Sequence, residues 1–159
     1  MHPGQSTGEW RSHWRMSCAW QAAQLLTAGT HGSTFGGNPL ACSAALAVLA
    51  TLDKENLIEQ AQQKGQAICA GFNEHLKNNK HIVDIRNKGL MIGIELDSPC
   101  AELVKSALQQ RLLINVTNET TIRLLPPLII DEQQIKLLVE TLSTLITEYT
   151  EQTAQKTQS

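Results

Sequence analysis

The apolar residues change their period at Asn78-Asn79, and that switch decides what kind of fold the chain can adopt. Before it, over residues 55–77, they fall at Leu57, Ile58, Ala61, Ile68, Phe72 and Leu76. Steps of three, four and seven gather them on one face of a long helix and leave Glu59, Gln63, Lys64 and Glu74 to solvent. Gly65 and Gly71 weaken that helix locally. After the switch come β-branched Ile82, Val83 and Ile85, then Leu90, Ile92, Ile94 and Leu96 alternating with Met91, Gly93 and Glu95. A period of two marks half-buried strands, so this stretch is a strand pair around Asn87-Lys88-Gly89 or one bent strand. A one-faced helix and one-faced strands satisfy each other by packing in layers.

The remaining elements extend the same plan. Ser98-Pro99 opens a helix with Leu103, Val104, Ala107 and Leu108 on one face. Residues 113–116 and 121–125 are short strands joined by the polar turn Asn118-Glu119, and Pro126-Pro127 stops the second. Asp131 caps a last helix, with Gln134 at the capping-box position and a stripe of Ile135, Leu138, Val139, Leu142, Leu145, Ile146 and Tyr149. From Glu151 the tail is polar and expected to fray. Upstream, residues 21–26 form a helical turn or two. Residues 40–52 are apolar nearly all round, which predicts a helix buried on most sides. The order is two helices, two strands, a helix, two strands, a helix. That is an α+β arrangement, a small and mostly antiparallel sheet with helices on one face.

His31-Gly32-Ser33-Thr34-Phe35-Gly36-Gly37-Asn38-Pro39 leads into the helix at 40–52. Asn38 is a good N-cap, and Pro39 suits the first helical position, where its missing N–H costs nothing. The glycines let the backbone approach another group closely. Ser33 and Thr34 add hydroxyl donors, and the helix start adds a partial positive field. That combination suits a phosphate. It also fits a tight turn before a capped helix, the more ordinary use of such residues.

Composition narrows the partners. The 159 residues suffice for one ordinary core, and 42% hydrophobic with 18% charged residues describes a soluble globular protein. A formal net charge of −2 gives no electrostatic ground for binding nucleic acid or an anionic membrane. No apolar run approaches the ~20 residues of a bilayer span. Residues 1–20 carry charges and no apolar core, unlike a signal peptide. Cys18, Cys42, Cys69 and Cys100 are widely spaced, as expected of reduced thiols in a cytoplasmic protein and not of a disulfide framework or metal site. His75 and His81 lack partners at ligand spacing and read as surface histidines. Residues 1–20 hold Trp10, Trp14 and Trp20 with Arg11 and Arg15 but no clean period. Such a stretch suits stacking on bases or a surface, yet a frame change or altered gene start explains it more simply. It is set apart as an atypical leader.

From about residue 21 to 149 the chain closely resembles the C-terminal part of the class III pyridoxal-phosphate aminotransferases, nearest to their acetylornithine branch. Four stretches carry the resemblance, in the family's order: Thr30-His31-Gly32-Ser33-Thr34-Phe35-Gly36-Gly37-Asn38-Pro39-Leu40-Ala41; Asp84-Ile85-Arg86 to Gly89-Leu90-Met91-Ile92-Gly93-Ile94-Glu95-Leu96; Ile122-Arg123-Leu124-Leu125-Pro126-Pro127; and the final helix. The resemblance implies the C-terminal small domain of a fold-type I enzyme. Residues 21–52 would be a cofactor-phosphate loop and connecting helix, 53–150 the α+β domain and 151–159 a polar tail. It implies pyridoxal 5'-phosphate as cofactor, amino-acid and 2-oxo-acid substrates, and a homodimer or pairing with a full-length subunit. The parent reaction would move an amino group from N-acetylornithine to 2-oxoglutarate, in arginine biosynthesis. Ornithine, 4-aminobutyrate and succinyldiaminopimelate enzymes share much of the pattern.

Three residues inherit roles from the resemblance. Thr34 matches the threonine that binds the cofactor phosphate across a dimer interface, and Ser33 the serine that contacts substrate. Arg123 matches the arginine that grips the substrate α-carboxylate. The chemistry is apt, because a guanidinium fork matches a carboxylate bidentately. Alternation also sets Arg123 on the face opposite Ile122 and Leu124. Arg86 and Glu95 read as strand-end and turn-stabilising charges. The chain departs from the family in one respect: the family's Schiff-base lysine lies upstream of the loop, and no lysine here precedes Lys54. The later lysines fall on predicted helices, turns or the tail. The chain is therefore expected to be a fragment that has no catalytic residue of its own and is inactive alone. A non-catalytic protein that pairs with an intact subunit is the other reading.

Overall fold

The computed structural model describes residues 36–157, which divide into two units between Glu55 and Asn56. The first unit contributes helix α1 (Pro39–Lys54). Its start follows the sequence: Asn38 Oδ1 accepts from the Ala41 N–H at 3.0 Å, with Pro39 in the first turn. Gly37, just before the cap, has φ of 74°, which glycine adopts without strain. The expected burial of α1 is corrected by the structure. No α1 residue is buried, and Leu40, Leu46, Val48 and Leu49 are exposed.

The second unit runs α2 (Leu57–His75), β1 (Ile82–Lys88), β2 (Met91–Leu96), α3 (Leu103–Gln109), β3 (Asn115–Thr117), β4 (Thr121–Leu124) and α4 (Glu132–Thr157). The strands form one antiparallel sheet in the order β1-β2-β4-β3. Ile92, Ile94 and Leu96 of β2 and Ile122 and Leu124 of β4 point to one face. There they meet Ile68 and Phe72 of α2, Leu103 of α3, and Val139, Leu142 and Ile146 of α4. Phe72 and Leu142 are fully buried, and each such side chain contributes roughly 1.5–3 kcal/mol. The α+β class and the single helical layer agree with the sequence pattern.

Turn chemistry fixes the register. Lys88 pairs with Met91 across a two-residue turn, Gly89-Leu90, and Gly89 takes φ of 55°. The stretch is thus a strand pair, with Asn87 and Lys88 inside β1. Asn118 and Glu119 take φ of 51° and 62° between β3 and β4. The segment after Pro99 stays non-helical up to α3 because the Cys100 N–H donates to the Glu119 carbonyl at 2.9 Å, tying it to that turn. The α4 capping box forms in both directions: the Gln134 N–H donates to Asp131 Oδ1 at 2.8 Å, and the Asp131 N–H to Gln134 Oε1 at 3.1 Å. The other end of α4 differs from expectation. Residues 151–157 continue the helix instead of fraying, since they hold no glycine or proline and are rich in good helix formers.

The two helix-weakening glycines of α2 have packing reasons that sequence does not show. A Cβ on Gly65 would lie 2.0 Å from the Gly89 carbonyl oxygen and 2.7 Å from Asn87 Nδ2. A Cβ on Gly71 would stand 3.1 Å from Val139 Cγ1. The β1–β2 turn therefore rests directly on the α2 backbone, and Asn87 Nδ2 holds the turn by donating to the Gly89 carbonyl at 3.0 Å. Gly65→Ala is expected to destabilise the chain by roughly 1–3 kcal/mol through overpacking, although alanine is the better helix former by about 1 kcal/mol. Urea unfolding followed by circular dichroism measures the difference. An unchanged or raised midpoint would rule out the close seating.

Candidate functional site

The helices cover one face of the sheet, and the chemistry lies on the other. Pairing aligns Arg86 of β1 with Gly93 of β2, Gly93 with Arg123 of β4, and Arg123 with Asn115 of β3. One row across the sheet thus carries two guanidinium groups with a glycine between them. Arg86 and Arg123 both line a cleft of about 320 Å³, together with Lys88, Gly93, Thr117 and Thr121. A Cβ on Gly93 would stand 3.7 Å from Arg86 Cγ, 3.8 Å from Arg86 Nε and 3.6 Å from Thr121 Cγ2. The Arg86 stem therefore leans over Gly93 toward β4.

The two arginines differ in what they hold. Arg86 Nη1 donates to Asp84 Oδ2 at 2.8 Å and to Glu95 Oε2 at 2.6 Å. Hydrogen bonding to Asp84 first and Glu95 second raises its pKa further. Asp84 and Glu95 face each other in register, and like charges directly opposite repel unless a cation lies between them. The sequence reading of Arg86 and Glu95 as stabilising charges fits that bridge. Arg123 sits half-buried between Ile122 and Leu124, which point to the core as alternation predicts. Its Nε is buried and has no hydrogen-bond partner. A buried donor left unpaired is costly, so such a group calls for an explanation. A planar acceptor with two oxygens, a carboxylate, would satisfy Nε and one Nη together.

The other candidates sort plainly. Ser33 and Thr34 lie outside the described residues. His75 is exposed, with Nδ1 2.9 Å from the Gly71 carbonyl. His81 gains a partner the sequence did not reveal, its Nδ1 lying 2.8 Å from Asp97 Oδ2, and that hydrogen bond lowers the Asp97 pKa. The free thiols Cys69 and Cys100 are buried, and desolvation pushes both up. Among the described residues there is no cluster able to hold a metal, and no helix is long and apolar enough to cross a membrane. Sequence reasoning missed Gly93, Thr121 and the place of Arg86 in the cleft. Alternation was the available signal for the shared face, but the shared row needs the β1–β2–β4 register.

Residues 12–146 match the family described as Aminotransferase class-III, a match that takes in part of the 1–20 stretch. The chain belongs to the class-III aminotransferases. It is 42% identical over 134 residues to acetylornithine aminotransferase 1 of Bordetella bronchiseptica, covering 84% of this chain and 34% of that protein. The fold matches ornithine aminotransferase from Toxoplasma gondii with a TM-score of 0.72 at 30% identity, over 82% of this chain and 32% of the other. It matches acetylornithine aminotransferase from Elizabethkingia anophelis with a TM-score of 0.67 at 35% identity, over 79% and 34%. The chain therefore spans about a third of the length of the curated relatives it matches.

Class-III membership implies pyridoxal phosphate as cofactor. The described residues do not fit that group. Lys54, Lys77, Lys80, Lys88, Lys105 and Lys136 are exposed, and half-buried Lys64 donates to the Leu128 carbonyl at 3.2 Å. The unsatisfied donor on Arg123 suits a carboxylate. Arg123→Met keeps a long apolar stem and removes the orphaned donor. It is expected to stabilise the chain by about 1 kcal/mol, read as a raised urea midpoint. A fall of similar size would mean that the guanidinium is structural.

Proposed function

We propose that this chain supplies the substrate-carboxylate anchor of a class-III aminotransferase acting on N-acetylornithine and 2-oxoglutarate. The observation that carries it is the buried, unpartnered Nε of Arg123, a residue that lines a cleft on the face of the sheet opposite its helical layer. The guanidinium fork holds the substrate by its α-carboxylate, and its position on a strand fixes the direction in which the rest of the substrate extends. Thr117 and Thr121 line the same cleft. Identity to an acetylornithine enzyme supports the donor assignment, and the ornithine aminotransferase fold match keeps ornithine as the second candidate.

In this reading Thr34 donates to the cofactor phosphate of a neighbouring subunit, and Ser33 contacts substrate. A bound cofactor would supply the electron sink that amino transfer needs. The chain works as half of a site, in a homodimer-like pairing or against a full-length subunit in the cytoplasm. The exposed Leu40, Leu46, Val48 and Leu49 of α1 support a pairing role, since interfaces are built from exposed apolar side chains of this kind. By itself the chain does not transaminate.

Two measurements test this. In NMR titration of the full chain, pentanoate is expected to shift signals of β2 and β4, and Arg123→Lys is expected to weaken binding about tenfold by losing the bidentate fork. Equal affinity of the two proteins would remove Arg123 from the anchor. Purified chain with pyridoxal phosphate, N-acetylornithine and 2-oxoglutarate is expected to form no glutamate, and turnover would overturn the half-site reading.

A further inference from the structure

Helix α4 is fixed in two different ways along its length. Up to Tyr149 its inward apolar side chains, Val139, Leu142, Ile146 and Tyr149 among them, pack into or against the core. The helix then continues to Thr157, and among the described residues none past Tyr149 belongs to that apolar cluster. Polar contact takes over. Asn79, in the turn between α2 and β1, donates from Nδ2 to Thr150 Oγ1 at 3.0 Å and accepts the His81 N–H on Oδ1 at 3.1 Å. Thr150 is buried, and its hydroxyl donates onward to the Thr147 carbonyl at 3.0 Å. The turn itself stands on a fixed base. The His81 carbonyl accepts the Asp97 N–H at 3.0 Å, and His81 Nδ1 lies 2.8 Å from Asp97 Oδ2. Two clefts of about 370 and 330 Å³ meet here: Lys80, His81, Thr150 and Ala154 line both, and Asn79 lines the larger. Open space therefore borders the Asn79–Thr150 bond, where packed side chains border the earlier turns of α4.

We propose that residues 150–157 are a strap that opens and closes on the α2–β1 turn while the core stays folded, with Asn79 as its latch. Segments with few buried apolar contacts open at free energies well below that of global unfolding. Opening here separates the Asn79–Thr150 bond and unwinds about two turns of helix. It leaves Val139, Leu142 and Ile146 in place. It also joins the two clefts, which share Thr150 and Ala154 as lining, into one groove beside Lys80 and His81. A helix end that merely frays would do so whether or not Asn79 were present. A helix end locked to the core would open only when the core does.

Native-state hydrogen exchange of the full chain, read by NMR, tests both limits. In wild type the amides of residues 151–157 are expected to exchange at least about a hundredfold faster than those of β2. Their rates are expected to depend little on urea, because local opening exposes little surface. Thr150→Val keeps the side-chain shape and removes the hydroxyl that Asn79 holds. It is expected to speed strap exchange about fivefold, the loss of one hydrogen bond. Asn79→Ala is expected to do the same, and Thr150→Val serves alone if the alanine disturbs the turn. Ile94→Val, in the core, is expected to speed β2 exchange about fivefold and to leave the strap unchanged. Strap amides as slow as those of β2, or unmoved by the loss of the Thr150 hydroxyl, would overturn the proposal. So would a strap that Ile94→Val accelerates as much as it does the core.

Discussion

The register between β2 and β4 is the constraint on which the uncovered face depends. Gly93 opposite Arg123 and Ile94 opposite Ile122 are one statement about the backbone. Side chains alternate with period two, so a one-residue slip of β4 would turn Arg123 into the core and Ile122 and Leu124 out of it. Expelling those two buried side chains would forfeit roughly 1.5–3 kcal/mol each, and burying an unpaired guanidinium would add a penalty of several kcal/mol. The core thus specifies the site without touching it. Ile92, Ile94, Ile122 and Leu124 have no polar role, yet they decide which residues stand in the row.

The same logic runs through α2. Its backbone comes so close to the β1–β2 turn that no side chain fits between Gly65 and Gly89. Gly89 in turn accepts the left-handed φ that a two-residue hairpin needs. One contact therefore sets both the approach of the helix and the place of the hairpin that carries Arg86 and Gly93. The helix-propensity cost of Gly65, about 1 kcal/mol, is offset by that seating.

Most of the fold was legible in the sequence, because periodicity reports which face is buried. The order of the eight elements, the cap at Asn38, the box at Asp131 and Gln134, and the outward face of Arg123 all follow from local pattern. What stayed hidden depends on partners distant in sequence. Gly65 and Gly71 look like helix breakers until the turn and Val139 are placed against them. His81 looks solitary until the β1–β2 pairing brings Asp97 to it. Arg86 reads as a strand-end charge until two strand pairings set it one row from Arg123. The tail beyond Glu151 errs in the opposite direction: polarity suggested fraying, but helix formers without a breaker extend α4 at little cost. In the candidate site, the readings of Arg123, Ser33 and Thr34 each join a chemical argument to a role that the resemblance implies.

Two features of this chain run against its own stability, and they do so for related reasons. Arg123 Nε is desolvated with no acceptor, and α1 leaves Leu40, Leu46, Val48 and Leu49 exposed. A core built only for folding would pair or replace the first and polarise the second. A carboxylate would satisfy the guanidinium, and an apolar surface would cover the helix. The Arg86 triad shows that this sheet can satisfy a guanidinium internally when the sequence supplies acids at the right register. No acid stands beside Arg123 in its row, where the neighbours are Gly93 and Asn115. The contrast between two arginines on one face therefore separates a charge used to hold the sheet together from a charge whose Nε the described residues leave unpaired.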